Sequence, residues 1–211
     1  MHPFFKDLSK AERALFKKLN SPQKIQDYLL TLPFNFETNG ETLYSPRMTM
    51  SAETAHCLEG ALFAAAALLY HGHRAVLLDL QPNYNTNDSG HAVALFKVGK
   101  FYGAISKTNH GVLRFRDAVY KSPRELAISY FHEYILPDGT KNLRSFTVLN
   151  LSTIKQNWVT DANHALYIED ALVKKTYTSL LPAKNFKLRT ADAIERKIGD
   201  VVEWNGAEKT V

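Results

Sequence analysis

Hydrophobic and polar positions change their period several times along the chain, and each change marks a predicted element. Residues 11–19 and 23–30 carry apolar residues at helical spacing; Ser9 caps the first helix and Ser21-Pro22 opens the second, before Leu32-Pro33 ends the pair. Residues 34–50 show no clear period and hold Asn39-Gly40 and Ser45-Pro46, which predicts loop or short edge strands. From Thr54 the chain is almost wholly apolar until His71-Gly72, and a helix apolar all round is expected to be buried on every side. Thr54 is the expected N-cap, its hydroxyl reaching the Cys57 amide, so that Cys57 falls in the first turn.

Strand-length patterns follow. Residues 75–80 predict a short strand, 81–90 a polar loop and 91–98 a second strand, with Gly99-Lys100 as a two-residue hairpin turn into a returning strand over 101–106. That register pairs Val98 with Phe101, Val93 with Ser106 and His91 with Thr108. A further basic strand is expected over 112–115, a helix over 123–134, a turn at Pro137-Asp138-Gly139 and a strand over 146–151. Helices are expected over 162–177, with Asp161 at its start and Lys174-Lys175 near its end, and over 190–198, ended by Gly199. The order is α+β, one domain over 1–211 with its core at about 45–150 and a helical appendage at about 151–211.

Composition narrows the chemistry. With 211 residues, 45% hydrophobic and 22% charged, the chain has the make-up of an ordinary folded domain. Its single cysteine, Cys57, excludes an internal disulfide framework and any thiolate metal cluster. The N-terminus becomes charged before any signal-like stretch, and the longest apolar run, 61–70, is too short to span a bilayer. No membrane association and a reducing, cytoplasmic location are therefore expected. The net charge is +5, and residues 97–124 hold seven bases against Asp117 alone. A solvated basic face explains this stretch, with an anion-attracting wall as the alternative. No nucleic-acid motif accompanies it, so nucleic acid is not an expected partner. Nothing in the sequence bears on oligomeric state.

A thiol becomes a nucleophile as the thiolate, and the first turn of a helix favours that form. It also needs a base, itself held by a third group. His91 is the candidate base, and the hairpin places His91, Val93, Ser106 and Thr108 on one strand face. Three residues compete to orient it: Ser106, diagonal to His91; Asn109, if the strand ends early; and Asp79, if the strand over 75–80 lies beside the hairpin. His56 adjoins Cys57 but points a third of a turn away in helical geometry, which makes it a packing residue, and Glu59 reads as a buried pair partner. His71 and His73 flank a helix end without a third ligand, and His110 and His132 lack metal spacing, so neither metal nor cofactor is expected. Arg114 and Arg116 share a strand face and form either an anion clamp or ion pairs with Asp117 or Glu125. The loop 81–90 lies where a lid over the site would lie.

Cys57-Leu-Glu-Gly-Ala with its apolar helix, Gly90-His91-Ala-Val-Ala-Leu-Phe and Tyr102-Gly-Ala-Ile-Ser106 together resemble the transglutaminase-like superfamily, over about a third of the chain. In these papain-related folds a helix N-terminal cysteine precedes a strand histidine and then Asp or Asn. The resemblance implies a central cysteine-bearing helix on an antiparallel sheet. It also implies a Cys-His peptidase, deamidase or transglutaminase acting on a peptide or protein amide. Ser106 stands where the family's aspartate falls. A catalytically inactive module that binds a peptide or partner protein is the alternative that this departure leaves open.

Overall fold

The computed structural model describes residues 2–86, 88–183 and 186–203. Met1 and Val211, the ends of the expected domain, and Asn87 of the expected loop lie outside them. The longest apolar run forms helix Cys57–Tyr70 (α4), every residue of which from Leu58 to Leu68 is buried. Four consecutive alanines, Ala64–Ala67, remove side-chain bulk and let neighbours approach closely.

Around α4 lie the amino-terminal helices Lys10–Lys18 (α1), Pro22–Thr31 (α2) and Pro46–Ala52 (α3), each capped by a serine: Ser9, Ser21 and Ser45. Helix α3 falls where loop or edge strand was expected. Ser45 accepts the Met48 amide, Pro46 presets the first turn, and Glu53 in the left-handed conformation ends the helix. Phe16 and Phe63 stack at 5.6 Å, with Phe5 and Tyr70 packed on Phe16, which fastens α1 to α4.

On the other side of α4 lies a six-stranded antiparallel sheet, so the fold class is α+β. Its strands are Val76–Pro82 (β1), His91–Val98 (β2), Phe101–Ile105 (β3), Arg116–Tyr120 (β4), Leu143–Asn150 (β5) and Thr178–Ser179 (β6), in the order β4-β3-β2-β1-β5-β6. The hairpin turns at Gly99, whose φ of +58° suits glycine, and pairs Val98 with Phe101. The ladder ends at Ala94–Ile105, short of His91 and Ser106. The basic strand lies at Arg116–Tyr120 rather than 112–115, because Leu113 at φ +60° turns the chain first.

One sheet face, with Ala92 and Ala94, packs on α4; the other, with Val93 and Leu95, packs on Leu126 and Tyr130 of the segment led by helix Pro123–Ser129 (α5). That helix is shorter than expected and passes into a 3-10 turn at Phe131–Glu133. The expected helix 162–177 shrinks to Tyr167–Val173 (α6), since Asp161 holds the Asn163 amide and the Tyr167 hydroxyl instead of capping a longer helix. Helix Ala193–Gly199 (α7) has an Asp192 capping box. Trp158, Val159, Ala165, Ile168 and Leu172 are buried in the same cluster as Phe63. Among the described residues no helix is long and apolar enough to cross a membrane.

The contact that sets the site is between α4 and the segment after β3. A Cβ built on Gly60 would lie 2.3 Å from the Lys107 Cβ, so only glycine lets the two approach this closely. The buried Lys107 ammonium donates to the Leu32 carbonyl and ties α2 to the same point. Gly60→Ala is expected to destabilise the protein by about 1–3 kcal/mol, despite the better helix propensity of alanine, because the clash is with atoms near the backbone. Urea denaturation measures this; an unchanged or higher midpoint would show that the segment yields.

Candidate active site

Cys57 is the first residue of α4, and two short backbone links fix the chain ahead of it: the Ala55 amide donates to Pro33 and the Asn35 amide to Ala55. The helix cap is His56, not Thr54, whose hydroxyl donates to the Pro33 carbonyl instead. With φ −87° and ψ −175°, His56 is extended, so the helical 100° step that would turn it away from Cys57 does not apply. Its ring lines the same cavity as Cys57, close enough that its charged form and the Cys57 thiolate favour one another, while the sulfur itself donates to the Gly90 carbonyl at 4.0 Å. The Leu58 amide donates to Nδ1, and Nε2 lies 3.1 Å from the Thr42 carbonyl.

Glu59 secures this histidine from below. Its carboxyl is fully buried and accepts from the Asn35 amide group, the Thr42 hydroxyl and the Tyr44 and His56 backbone amides, all within 3.1 Å. The His56 ring lies 3.4 Å away. It is therefore a buried partner, as its place in the sequence suggested, and its partner is the histidine beside the thiol.

His91 begins β2, buried against the Tyr130 ring at 6.3 Å, and lines the same cavity as Cys57. Its Nε2 lies 2.9 Å from the Ser106 hydroxyl. Ser106 has one proton, and that proton is donated to the Leu113 carbonyl at 2.6 Å. The serine oxygen therefore accepts from His91 Nε2–H, which leaves Nδ1 as the ring nitrogen open to proton transfer. Gln26 of α2 holds Ser106 at both ends of its peptide unit, accepting its amide at 2.9 Å and donating to its carbonyl at 2.8 Å.

Of the three candidates to orient His91, Ser106 makes the bond. Asn109 lines the same cavity without a hydrogen bond to His91, and Asp79 is cross-strand from Ala92 while Leu80 faces His91. Asp79 instead receives the Tyr177 hydroxyl at 2.6 Å and the Gln81 amide at 2.8 Å. Arg116 pairs with Glu133, not Asp117 or Glu125, and lies over the Tyr130 ring, so the two arginines form no anion clamp. The segment expected as a lid begins two residues late, since Gln81 and Pro82 extend β1. Asn142 donates to Thr86 and Asp88 and Tyr134 donates to Ser89, making the segment a fastened wall.

Burial would push the Cys57 thiol up, but hydrogen bonds from His56 and His91 and the charges of both rings hold it down at about 5. Burial works against a charged His56, yet the Cys57 thiolate, Glu59 and the Thr42 carbonyl raise it to about 9. The two values belong to one coupled pair, a thiolate–imidazolium that persists between them. The Cys57 amide has no hydrogen-bond acceptor among the described residues and stands at the helix start, where a developing oxyanion would be stabilised. The cysteine opens on a cavity of about 410 Å³ walled by Phe34, Phe36, Asn109 and Tyr134. A second cavity, of about 360 Å³, meets it at Cys57 from the side of Asp79 and α6.

Comparison of the chain with protein-family models and with curated proteins gives no match.

Replacing Glu59 by Gln puts an amide among four donors and removes the charge beneath His56. Glu59→Gln is expected to cost about 2 kcal/mol of stability and to raise the Cys57 pKa, read from thiolate absorbance against pH. An unshifted thiolate titration in a folded variant would separate Glu59 from the cysteine.

Proposed function

We propose that the protein is a cysteine-dependent acyl-transfer or amide-hydrolysing enzyme of transglutaminase-like, papain-like architecture. The observation that carries this reading is a helix N-terminal thiol on the wall of an open cavity that His56 and His91 also line, with the two imidazoles lowering its pKa to about 5. A core cysteine kept only for packing has no need of that company.

In this reading the Cys57 thiolate attacks the carbonyl carbon of a peptide or protein amide, and the oxyanion turns to the Cys57 backbone N–H. His91, carrying a proton at Nδ1, gives that proton to the departing amine nitrogen as the C–N bond breaks. The thioester remains on Cys57. His91 then takes a proton from water or an amine, whose oxygen or nitrogen attacks the same carbon and expels the thiolate. Ser106 keeps the His91 tautomer in place, and the His56–Glu59 pair supplies the negative charge that serine lacks, one histidine removed. A nucleophile kept as a free thiol suits a reducing compartment such as the cytoplasm.

The second reading, a module that binds a peptide or partner without turnover, is favoured by Ser106 at the position of an expected acid. A chromogenic acyl ester separates the two. The enzyme gives a stoichiometric burst of nitrophenolate from p-nitrophenyl acetate followed by steady release. Cys57→Ala loses both phases, and His91→Ala slows the steady phase by about 10²–10⁴-fold. Acylation with no later release, equal in wild type and His91→Ala, would support the module.

A further inference from the structure

The chain carries 26 lysines and arginines against 21 acids, yet among the described residues no lysine or arginine lines the two cavities that meet at Cys57. Five carboxylates line them: Glu37, Asp88 and Glu133 in one, Asp79 and Glu169 in the other. Asp88 and Glu133 are engaged, by Asn142 and by Arg116. The cavity on the Asp79 side is different.

Asp79 is 5% exposed, and both of its hydrogen bonds, from Tyr177 and Gln81, fall on Oδ2. Oδ1 has no hydrogen-bond donor among the described residues. Oδ1 is not sealed from solvent, and burial of the rest of the side chain pushes the Asp79 carboxyl up, against the pull of Tyr177, Gln81 and the charge of His91. At the mouth, Glu169 on α6 makes no hydrogen bond or ion pair among the described residues. Leu58, Ala92, Leu172 and Val173 supply apolar wall between the two acids. An aliphatic stem ending in a cation matches this lining, and it would bring the donors that Oδ1 lacks.

We infer that the cavity bounded by Asp79, Glu169 and Tyr177 is a recognition site for a basic side chain, a lysine-like alkylammonium, on the substrate of Cys57. The inference rests on the reading of Cys57 as the nucleophile. An ammonium held between carboxylates keeps its proton and is no nucleophile, so the site selects the substrate and does not deliver an acyl acceptor. Nor does it suit anions: among the described residues the positive groups lining the two cavities are the imidazoles of His56 and His91 and that of His110, whose pKa is lowered by burial and by His91.

Three small thiol reagents of one chemistry test this on the full chain: 2-aminoethyl, methyl and 2-sulfonatoethyl methanethiosulfonate, each rate referred to that with free 2-mercaptoethanol. The cationic reagent should modify Cys57 about tenfold faster than the neutral one, and the anionic reagent should be slower than both. The cationic-to-neutral ratio should fall toward one in Asp79→Asn and, by a smaller factor, in Glu169→Gln, which alters only the rim and leaves the sheet untouched. A wild-type ratio of one, or a ratio that survives in Glu169→Gln and in a folded Asp79→Asn, would overturn the inference. The neutral reagent reports the thiol itself. A slow neutral reaction with a high ratio removes the nucleophile and keeps the cation site, whereas a fast one with a ratio of one does the reverse.

Discussion

The site depends on the close approach of α4 to the segment that leaves β3, made where Gly60 meets Lys107. An apolar helix is driven against a sheet by burial, but burial alone has no preferred depth or rotation. The missing side chain at Gly60 sets the depth. The Lys107 ammonium on the Leu32 carbonyl and the paired amide bonds of Gln26 to Ser106 then fix the segment from the α2 side. Once the segment is held, Ser106 is in reach of His91 and the first turn of α4 presents its thiol to the same ring. A core contact thereby becomes a constraint on the chemistry.

Charge at the site is arranged in two arms that share one sulfur. On the His91 arm the third group is a hydroxyl, which determines the tautomer because its only proton is committed to Leu113. On the His56 arm the third group is a carboxyl, buried and surrounded by donors that stop it from turning elsewhere. Orientation and charge compensation, which one aspartate commonly provides together, are separated here between Ser106 and Glu59. The surrounding cleft is acidic as well, with Glu37, Asp88, Glu133, Asp79 and Glu169 among the described residues that line it.

Much of the first arm was legible in the sequence because it rests on local rules. The hairpin register follows from Gly99-Lys100 and the strand alternation, and the place of Cys57 from the start of an apolar run. The second arm is hidden because His56 is not a usual capping residue and because helical geometry does not hold one residue before the helix begins. Had His56 been read as a cap, Glu59 three residues on would have completed a capping box. Gln26 and Tyr177 could not be found this way, being 80 and 98 residues from the groups they hold. Helix α3 was missed for a milder reason, since a seven-residue helix shows scarcely two turns of period. The tail misled in the opposite direction: acids and bases placed to suit a long helix do not make one when Asp161 has other donors to serve.

The central claim is that Cys57 is a thiolate at neutral pH because two histidines hold it so. Its alkylation by iodoacetamide, followed on the full chain from acid to alkaline pH, measures this directly, since only the thiolate reacts. The rate should rise with a half-maximum at about pH 5 and stay level through neutrality. A half-maximum at about 8.5, the value of an ordinary thiol, would contradict the account.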